Sequence, residues 1–409
     1  MRPADADGRS DGPARAPAQQ APSPPTFPLR GYAVDGQDTH QELTSRHGRE
    51  RSSRQRSAGE SVSRTAAPPR GDAEAGRVPF AVPDQLPGTS VESCSPLGDA
   101  VLERRLRATA TGAGAGEHLL ALQRIADANG GNRACPGPGY EASVRHVTET
   151  LRAAGYDVST PAYPLPKRRR RRDGETCCRN VIAQTRTGDR GRVVVLGAHL
   201  DSVRRGPGIN DNGSGVAALL EIATRLGGSP PVRSAVRFAF WGSEEDDLVG
   251  STHYVDTLSR AERDDVLLYL NLDMLASPNP GYFVLGGEGR SRAEHGPPGS
   301  AQVACLLVEQ LAATGVVART VPLDRESDYV PFIDAGIPSA GVWAGDRETK
   351  TRKQAQRWGG RAGRPFDPHY HTERDRLDTL DRAALDHFTR AVAGAVGRAA
   401  VSLHTRPGA

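Results

Sequence analysis

Gly197-Ala198-His199-Leu200-Asp201-Ser202, followed shortly by Gly208-Ile209-Asn210-Asp211-Asn212-Gly213-Ser214-Gly215, is the stretch whose reading decides the fold. Before it runs Arg192-Val193-Val194-Val195-Leu196, a β-branched apolar segment that predicts a buried strand. After it runs Val216-Ala217-Ala218-Leu219-Leu220-Glu221-Ile222-Ala223, which predicts a helix. A histidine and two carboxylates therefore follow a strand end, in the crevice where open α/β sheets bind ligands. Read alone, this is the first half of a two-metal hydrolytic site.

Further strands are expected at 158–163, 180–183, 234–241, 266–274, 281–285 and 316–323, with 180–183 paired near the Val193 strand and 281–285 at a sheet edge. Helical patterns cover 98–127, the segment after Pro138-Gly139 with Val144, Val147, Leu151 and Ala154 on one face, 300–314 and 380–403. A helical turn is expected over 329–335, and one long loop over 345–370. This alternation predicts a single α/β domain, a mixed and mostly parallel central sheet with helices on both faces.

Composition bounds the rest. Residues 1–97 are crowded with Pro, Arg, Ser and Gly and cannot bury enough surface to offset chain entropy, so a disordered tail is expected there, followed by one domain over 98–405. The net charge of +4 is small, and no nucleic-acid partner is expected. No apolar run approaches the ~20 residues of a membrane span, so no membrane role is expected either; a monomer is. Met1 is followed by polar, Pro-rich sequence without an apolar signal core, so no secretory signal peptide is expected and localisation stays unassigned. The basic run 167–172 reads as a solvated loop tip. The five cysteines, Cys94, Cys135, Cys177, Cys178 and Cys305, have no framework spacing. Ordinary thiols are expected, with a bridge from Cys135 to Cys177 or Cys178 as the alternative.

Five candidate ligands stand in order along the chain: His199, Asp211, Glu245, Asp273 and His371. Imidazole and carboxylate donors suit zinc, with manganese or cobalt as substitutes. Two ions ~3.5–4 Å apart can share one bridging carboxylate, each adding a His and a further carboxylate. Asp211 is the natural bridge, His199 with Asp273 one set and Glu245 with His371 the other. Asp201, two residues beyond His199, can accept the second N–H of that imidazole. Glu244 and Glu245 point apart in an extended chain, so one can bind metal while the other acts as general base on a water whose pKa zinc lowers to roughly 7. That makes Glu244 the base. Tyr370, beside His371, can donate its hydroxyl to the oxyanion of a tetrahedral intermediate.

Whole phrases go further than the ligands. GGNRACPGPGYEASV (130–144), GAHLDSV (197–203), GINDNGSG (208–215), FAFWGSEE (238–245), NLDM (271–274) with SPNPGYFV (277–284), SDYVPFIDAGIPSAG (327–341), WGGRAG (358–363) and the Tyr370-His371 pair resemble the co-catalytic zinc aminopeptidases of the bacterial leucyl aminopeptidase and aminopeptidase Y family, most of all the aminopeptidase S type of actinobacteria. The resemblance covers about 115–403. It implies two zinc ions and removal of an N-terminal residue, often a large apolar one, from a peptide or protein. It also implies the five ligands above, Glu244 as base, Asp201 behind His199, Tyr370 at the oxyanion, and a cis peptide after Asp211.

Three departures stand out. Relatives place Cys on either side of the Tyr-His pair, where this chain has His369 and Arg374. Relatives have Arg-Ser-Asp, the Arg thought to anchor substrate, where this chain has Glu326-Ser327-Asp328, with Arg325 one residue earlier as a candidate replacement. Relatives are usually exported. Two other readings use the same ligands: the zinc carboxypeptidase and aminoacylase family, whose His-x-Asp normally lies much farther from the bridging Asp; and a non-catalytic binding domain, against which the full ligand set and base argue. A glutaminyl cyclase-like reading fits less well, because the two-metal set is intact.

Overall fold

The β-branched run at the centre of the chain forms β5 (Asp189–His199), and its side chains alternate strictly between two cores. Val194 and Leu196 enter one apolar cluster while Val193 and Val195 enter the other, as a two-residue period requires of a strand covered on both faces. β6 (Ser234–Trp241) repeats the division, with Val236, Phe238 and Phe240 on the first side and Ala235, Ala239 and Trp241 on the second. β7 (Val266–Asp273) sends Leu268, Leu270 and Leu272 to the first side and Tyr269 to the second, while Val266 joins the second side across the shift in register with β5 at Val193 and Val194. The computed structural model describes residues 99–166, 176–286 and 296–408; the expected tail over 1–97 and the basic run 167–172 lie outside the described residues.

Eight strands make one mixed sheet. β1 (Asp157–Ser159) is an edge and pairs antiparallel with β4 (Val181–Gln184), which pairs antiparallel with β6. β6, β5, β7 and β10 (Ser339–Trp343) follow as parallel neighbours. β8 (Phe283–Leu285) then pairs antiparallel with β10, and β9 (Arg319–Val321) closes the far edge parallel to β8. β2 (Ala162–Pro164) and β3 (Cys177–Arg179) form a separate two-stranded ribbon.

Three expectations change here. The segment 158–163 divides between β1 and β2, two different sheets, because the chain turns at Thr160 and Pro161, and proline cannot donate to a continuing ladder. β4 neighbours β6, not the Val193 strand, which lies one place further in. β8 is interior to the sheet, since β9 covers its outer side; a three-residue strand carries too little pattern to reveal which neighbours it has.

One face of the sheet is covered by α1 (Asp99–Thr109), α2 (Gly112–Ala128), α3 (Pro138–Ala153), α4 (Gly213–Leu226), α7 (Ser300–Ala313) and α10 (Arg382–Ser402). α4 is buried almost all round, and Asn212 caps it by accepting from the Gly215 N–H. The other face carries α5 (Val249–Thr257), α6 (Arg260–Asp265) and α8 (Val330–Asp334). Its centre is aromatic: Tyr269 stacks on Phe332 with ring centroids 3.8 Å apart, and the Trp241 indole donates to the Tyr269 hydroxyl at 2.9 Å. Gly197 of β5 makes room for this pair. A Cβ there would lie 2.3 Å from the Tyr269 hydroxyl and 2.4 Å from Trp241 Nε1.

The stretch 345–370 is not one loop. It contains α9 (Arg352–Trp358), started by a reciprocal cap in which Thr351 Oγ1 accepts from the Gln354 N–H and Gln354 Oε1 accepts from the Thr351 N–H. α9 buries no residue, so it has no apolar periodicity from which to predict it. The expectation of ordinary thiols is also corrected at one pair. β3 runs beside the loop entering α3, bringing the Cα atoms of Cys135 and Cys178 to 6.3 Å, and the two are joined as a disulfide. Cys177 and Cys305 are free and exposed.

Candidate metal centre

The C-terminal ends of the central parallel strands deliver the polar side chains to one place. His199 is the last residue of β5 and Asp273 the last of β7. Glu244 and Glu245 sit in the turn that follows β6, Asp211 just ahead of α4, and His371 on the long connection after β10. The backbone turns sharply at three of these points: Ser243 (φ 56°), Met274 (φ 47°) and His371 itself (φ 57°) are left-handed without being glycine. Each costs of order 1–3 kcal/mol, and such residues gather where function demands a particular aim. The Asp211–Asn212 peptide is cis.

Asp211 lies at the middle. Its Oδ1 is 3.2 Å from His199 Nε2, and its Oδ2 is 3.0 Å from His371 Nε2. Asp273 Oδ1 is 3.5 Å from His199 Nε2, and Glu245 Oε2 is 3.1 Å from His371 Nε2. Two sets of three potential donors, His199–Asp211–Asp273 and Asp211–Glu245–His371, therefore share one carboxylate. Glu244 stands beside them, its Oε2 3.9 Å from His199 Nε2. The chain at Glu244 and Glu245 is bent at Ser243 and not extended, yet the two carboxylates still reach different imidazoles. Asp201 lies behind His199. Its backbone oxygen, at 3.2 Å, is the nearest partner of His199 Nδ1, while its carboxylate lies 3.7 Å away and accepts the Glu244 N–H at 3.2 Å. Asp201 thus tethers both the His199 ring and the Glu244 backbone. The Tyr370 ring stacks on the His371 imidazole at 3.8 Å, and the Arg347 guanidinium lies 5.1 Å from the centre of the Tyr370 ring.

Four carboxylates crowd two imidazoles in a mostly buried space, and their ionisation shows the strain of that arrangement. Burial, together with the Asp211 charge, pushes the Glu245 carboxyl up to about 7. Burial also pushes the Glu244 carboxyl well above its usual range. Burial also opposes the charge on Asp211, but hydrogen bonds from His199 and His371 hold it below the usual carboxylate range. Burial disfavours the imidazolium of His371, yet Asp211 and Glu245 lift it to about 10. Asp273 Oδ1 and Glu245 Oε1 are buried without a hydrogen-bond partner. Orphaned carboxylate oxygens around a shared aspartate are the donor chemistry that divalent zinc satisfies, and metal binding in such a site displaces protons from its ligands.

Several residues that hold this centre carry no local signal in the sequence. Arg133 is fully buried and donates to the carbonyl oxygens of Pro207 at 3.0 Å, Gly208 at 2.6 Å and Leu200, all on the loop between His199 and Asp211. Asp375 accepts the Asn210 N–H at 2.6 Å and the Asp211 N–H at 3.0 Å, and Asp367 accepts from the Asn210 side chain at 2.6 Å. Ser327 donates to Asp273 Oδ2 at 2.7 Å and accepts from Asn271 at 2.9 Å. Arg325 does not enter the centre: its guanidinium makes two bonds to Asp334, at 2.9 and 2.7 Å. His199, Asp211, Glu244, Asp273 and His371 line an open cleft, walled further by Met274, Leu285, Trp343 and Tyr370.

The family model described as peptidase family M28 matches residues 180–396, more than half of the chain. The chain is 37% identical to leupeptin-inactivating enzyme 1 of Streptomyces exfoliatus over 356 residues, 85% of this chain and 73% of that protein. It is 52% identical to the probable lipoprotein aminopeptidase LpqL of Mycobacterium tuberculosis over 224 residues, 54% of this chain and 45% of that one. The match to an aminopeptidase of Pseudomonas aeruginosa likewise spans 40% of the relative, so the chain corresponds to less than half the length of these two. Among solved structures, BSAP, a zinc aminopeptidase from Bacillus subtilis, superposes with a TM-score of 0.57 at 19% identity, covering 73% of this chain and 97% of that one. At that identity the likeness speaks for the fold.

Proposed function

The chain belongs to peptidase family M28, and from that premise we propose that it is a zinc-dependent aminopeptidase, removing the N-terminal residue of peptides or proteins, with its catalytic domain over 98–405. The observation that carries this reading is the shared aspartate: one oxygen of Asp211 faces His199 and the other faces His371. In this reading His199 and Asp273 would hold one zinc and Glu245 and His371 a second, with Asp211 common to both sets. Zinc bound there supplies charge that acidifies water and polarises a carbonyl.

The protein's own groups do the rest. Glu244, held by its backbone N–H to Asp201, takes the proton of the attacking water and returns it to the leaving amine. Burial keeps the Tyr370 hydroxyl protonated, so it can donate to the oxyanion that develops at the scissile carbon. Ser327 fixes the Asp273 carboxylate through Oδ2 and leaves Oδ1 for the ion. The large apolar residue implied by resemblance finds Met274, Leu285 and Trp343 in the cleft wall. The Cys135–Cys178 bridge supports work in an oxidising, extracytoplasmic compartment; among the described residues no helix is long and apolar enough to cross a membrane.

The test is hydrolysis of aminoacyl-p-nitroanilides by the full chain, with metal content measured in parallel. Chelator-sensitive cleavage of Leu-p-nitroanilide, absent for its N-acetylated form and lost in Glu244→Gln, is the expected result. Cleavage of N-acyl amino acids in place of free-amine substrates would assign the carboxypeptidase and aminoacylase chemistry instead. Absence of bound metal would favour a binding domain.

A further inference from the structure

Beyond the cleft wall the surface is of one sign. Arg319 of β9 and Arg352, Lys353 and Arg357 of α9 line an open groove with Trp358, and among the described residues no carboxylate lines it. All four cations are exposed, and among the described residues none of them forms an ion pair. Elsewhere on the surface arginines are paired, Arg376 with Asp127 and Arg398 with Glu103 and Glu309. α9, which presents three of these cations, is fixed in place although it buries no residue. The Trp358 indole donates to the Val317 carbonyl at 2.8 Å and sets its ring against Phe283, centroids 5.0 Å apart. Lys350, buried just ahead of α9, donates to the carbonyls of Pro280 and Gly359 at 2.9 Å each, so one side chain ties the entry of the helix to its exit. Like charges held together on a fixed backbone repel one another, and an anionic partner relieves that repulsion.

Strand register joins this groove to the candidate metal centre. Asp273 pairs with Trp343, Trp343 with Phe283 and Phe283 with Arg319, one row across β7, β10, β8 and β9. Residues paired across a sheet point to the same face. The candidate ligand, the cleft wall at Trp343 and the groove at Arg319 therefore share one face and one end of the sheet. Strand spacings of ~4.8 Å make that row about 14 Å long, which an extended peptide crosses in about four residues at ~3.3 Å each. We propose that the groove is a second binding site for the substrate chain. It takes acidic side chains from about the fifth residue onward of an extended peptide whose N-terminus lies at the metal centre. A peptide is the anion that this placement favours, because the groove continues the row along which a substrate leaves the cleft. The proposal rests on the aminopeptidase reading and adds to it a preference remote from the cleaved bond.

The experiment uses the full zinc-loaded chain and two octapeptides, Leu-Gly-Gly-Gly-Asp-Asp-Asp-Gly and its Asn counterpart, with Leu-p-nitroanilide as a substrate too short to reach the groove. The variant combines Arg352→Gln, Lys353→Gln and Arg357→Gln, and circular dichroism confirms its folding. For wild type the expected KM of the Asp peptide is about fivefold below that of the Asn peptide, with kcat alike, since exposed ion pairs each contribute modestly. The difference should vanish in the triple variant and shrink with added salt, while Leu-p-nitroanilide is cleaved as by wild type. Equal KM for the two peptides, or a difference that survives the triple variant, overturns the second site and leaves the aminopeptidase reading standing. Equal KM together with binding to phosphatidylglycerol vesicles that the triple variant loses would assign the groove to a membrane surface instead. No cleavage of Leu-p-nitroanilide by zinc-loaded protein overturns the aminopeptidase reading. Anisotropy of the Asp peptide, labelled with fluorescein at its C-terminus, then reads the groove by itself: binding lost in the triple variant supports it, and absence of binding overturns it.

Discussion

Replacing Arg133 with methionine tests whether the loop joining two of the candidate metal ligands is held from outside. The side chain is fully buried and supplies donors to three backbone carbonyls, of Leu200, Pro207 and Gly208. Methionine fills similar space and donates nothing, so three buried acceptors lose their partner, at about 1–3 kcal/mol each. The opposing effect is relief of a buried charge. Burial lowers the guanidinium's pKa to about 10 despite the nearby Asp201, Asp375 and Asp211. At 1.36 kcal/mol per unit, that depression from the ordinary value is worth about 3 kcal/mol. The net expectation is a loss of about 3 kcal/mol, a large share of the 5–15 kcal/mol typical of a domain. Because His199 and Asp211 flank the loop, zinc affinity should drop as well, by tenfold or more. Urea denaturation of the zinc-loaded protein measures the first quantity and competition with a chelating dye the second. Arg133→Lys, which keeps a charge but not the fork of donors, should fall between. A methionine variant within 1 kcal/mol of wild type, with unchanged zinc affinity, would refute the reasoning.

Glu244→Gln should lower kcat by roughly 10²–10⁴ while zinc content stays at the wild-type level, checked by metal analysis beside steady-state kinetics. Removing zinc should abolish activity and lower the melting temperature, because the ion binds the folded centre and its loss leaves Asp211, Glu244, Glu245 and Asp273 repelling one another; calorimetry before and after chelation reads this. Gly197→Ala places a methyl 2.3 Å from the Tyr269 hydroxyl and should cost about 1–3 kcal/mol, seen as a lower urea midpoint. His118 on α2 faces His146 on α3 at 6.1 Å, and burial lowers its pKa to about 4. The unfolded chain then binds more protons between pH 6.5 and 4, so stability should fall as pH falls through that window, by at most ~3 kcal/mol, and His118→Phe should flatten the profile in urea melts at stepped pH.

How much of this was legible beforehand depends on how far each signal travels along the chain. Three of the candidate sites could be read because they follow a strand end with its own local pattern: Val193 to Leu196 before His199, the 234–241 run before Glu244 and Glu245, the 266–274 run before Asp273. The central strands and the long helices were equally plain, since burial on one or both faces writes a period of two or 3.6 into the residues themselves. α9, which buries nothing, wrote no such period, and β8 was too short to show that β9 lies outside it.

By itself, then, the sequence determined the class of fold, the order of its main elements and the identity of the residues with metal-binding chemistry. Only the tertiary structure decided that the two oxygens of Asp211 face different imidazoles, that Asp201 grips Glu244 through its backbone, and that Cys135 joins Cys178. It alone turned Arg325 out to Asp334 and left Glu326 lining the cleft. The physical reason is range. Periodicity and turn chemistry act between neighbours in the chain, whereas the grip of Arg133 on Gly208 and of Asp375 on Asp211 joins residues far apart in sequence, which meet because the sheet has already stacked its strands in an order that the chain does not spell out.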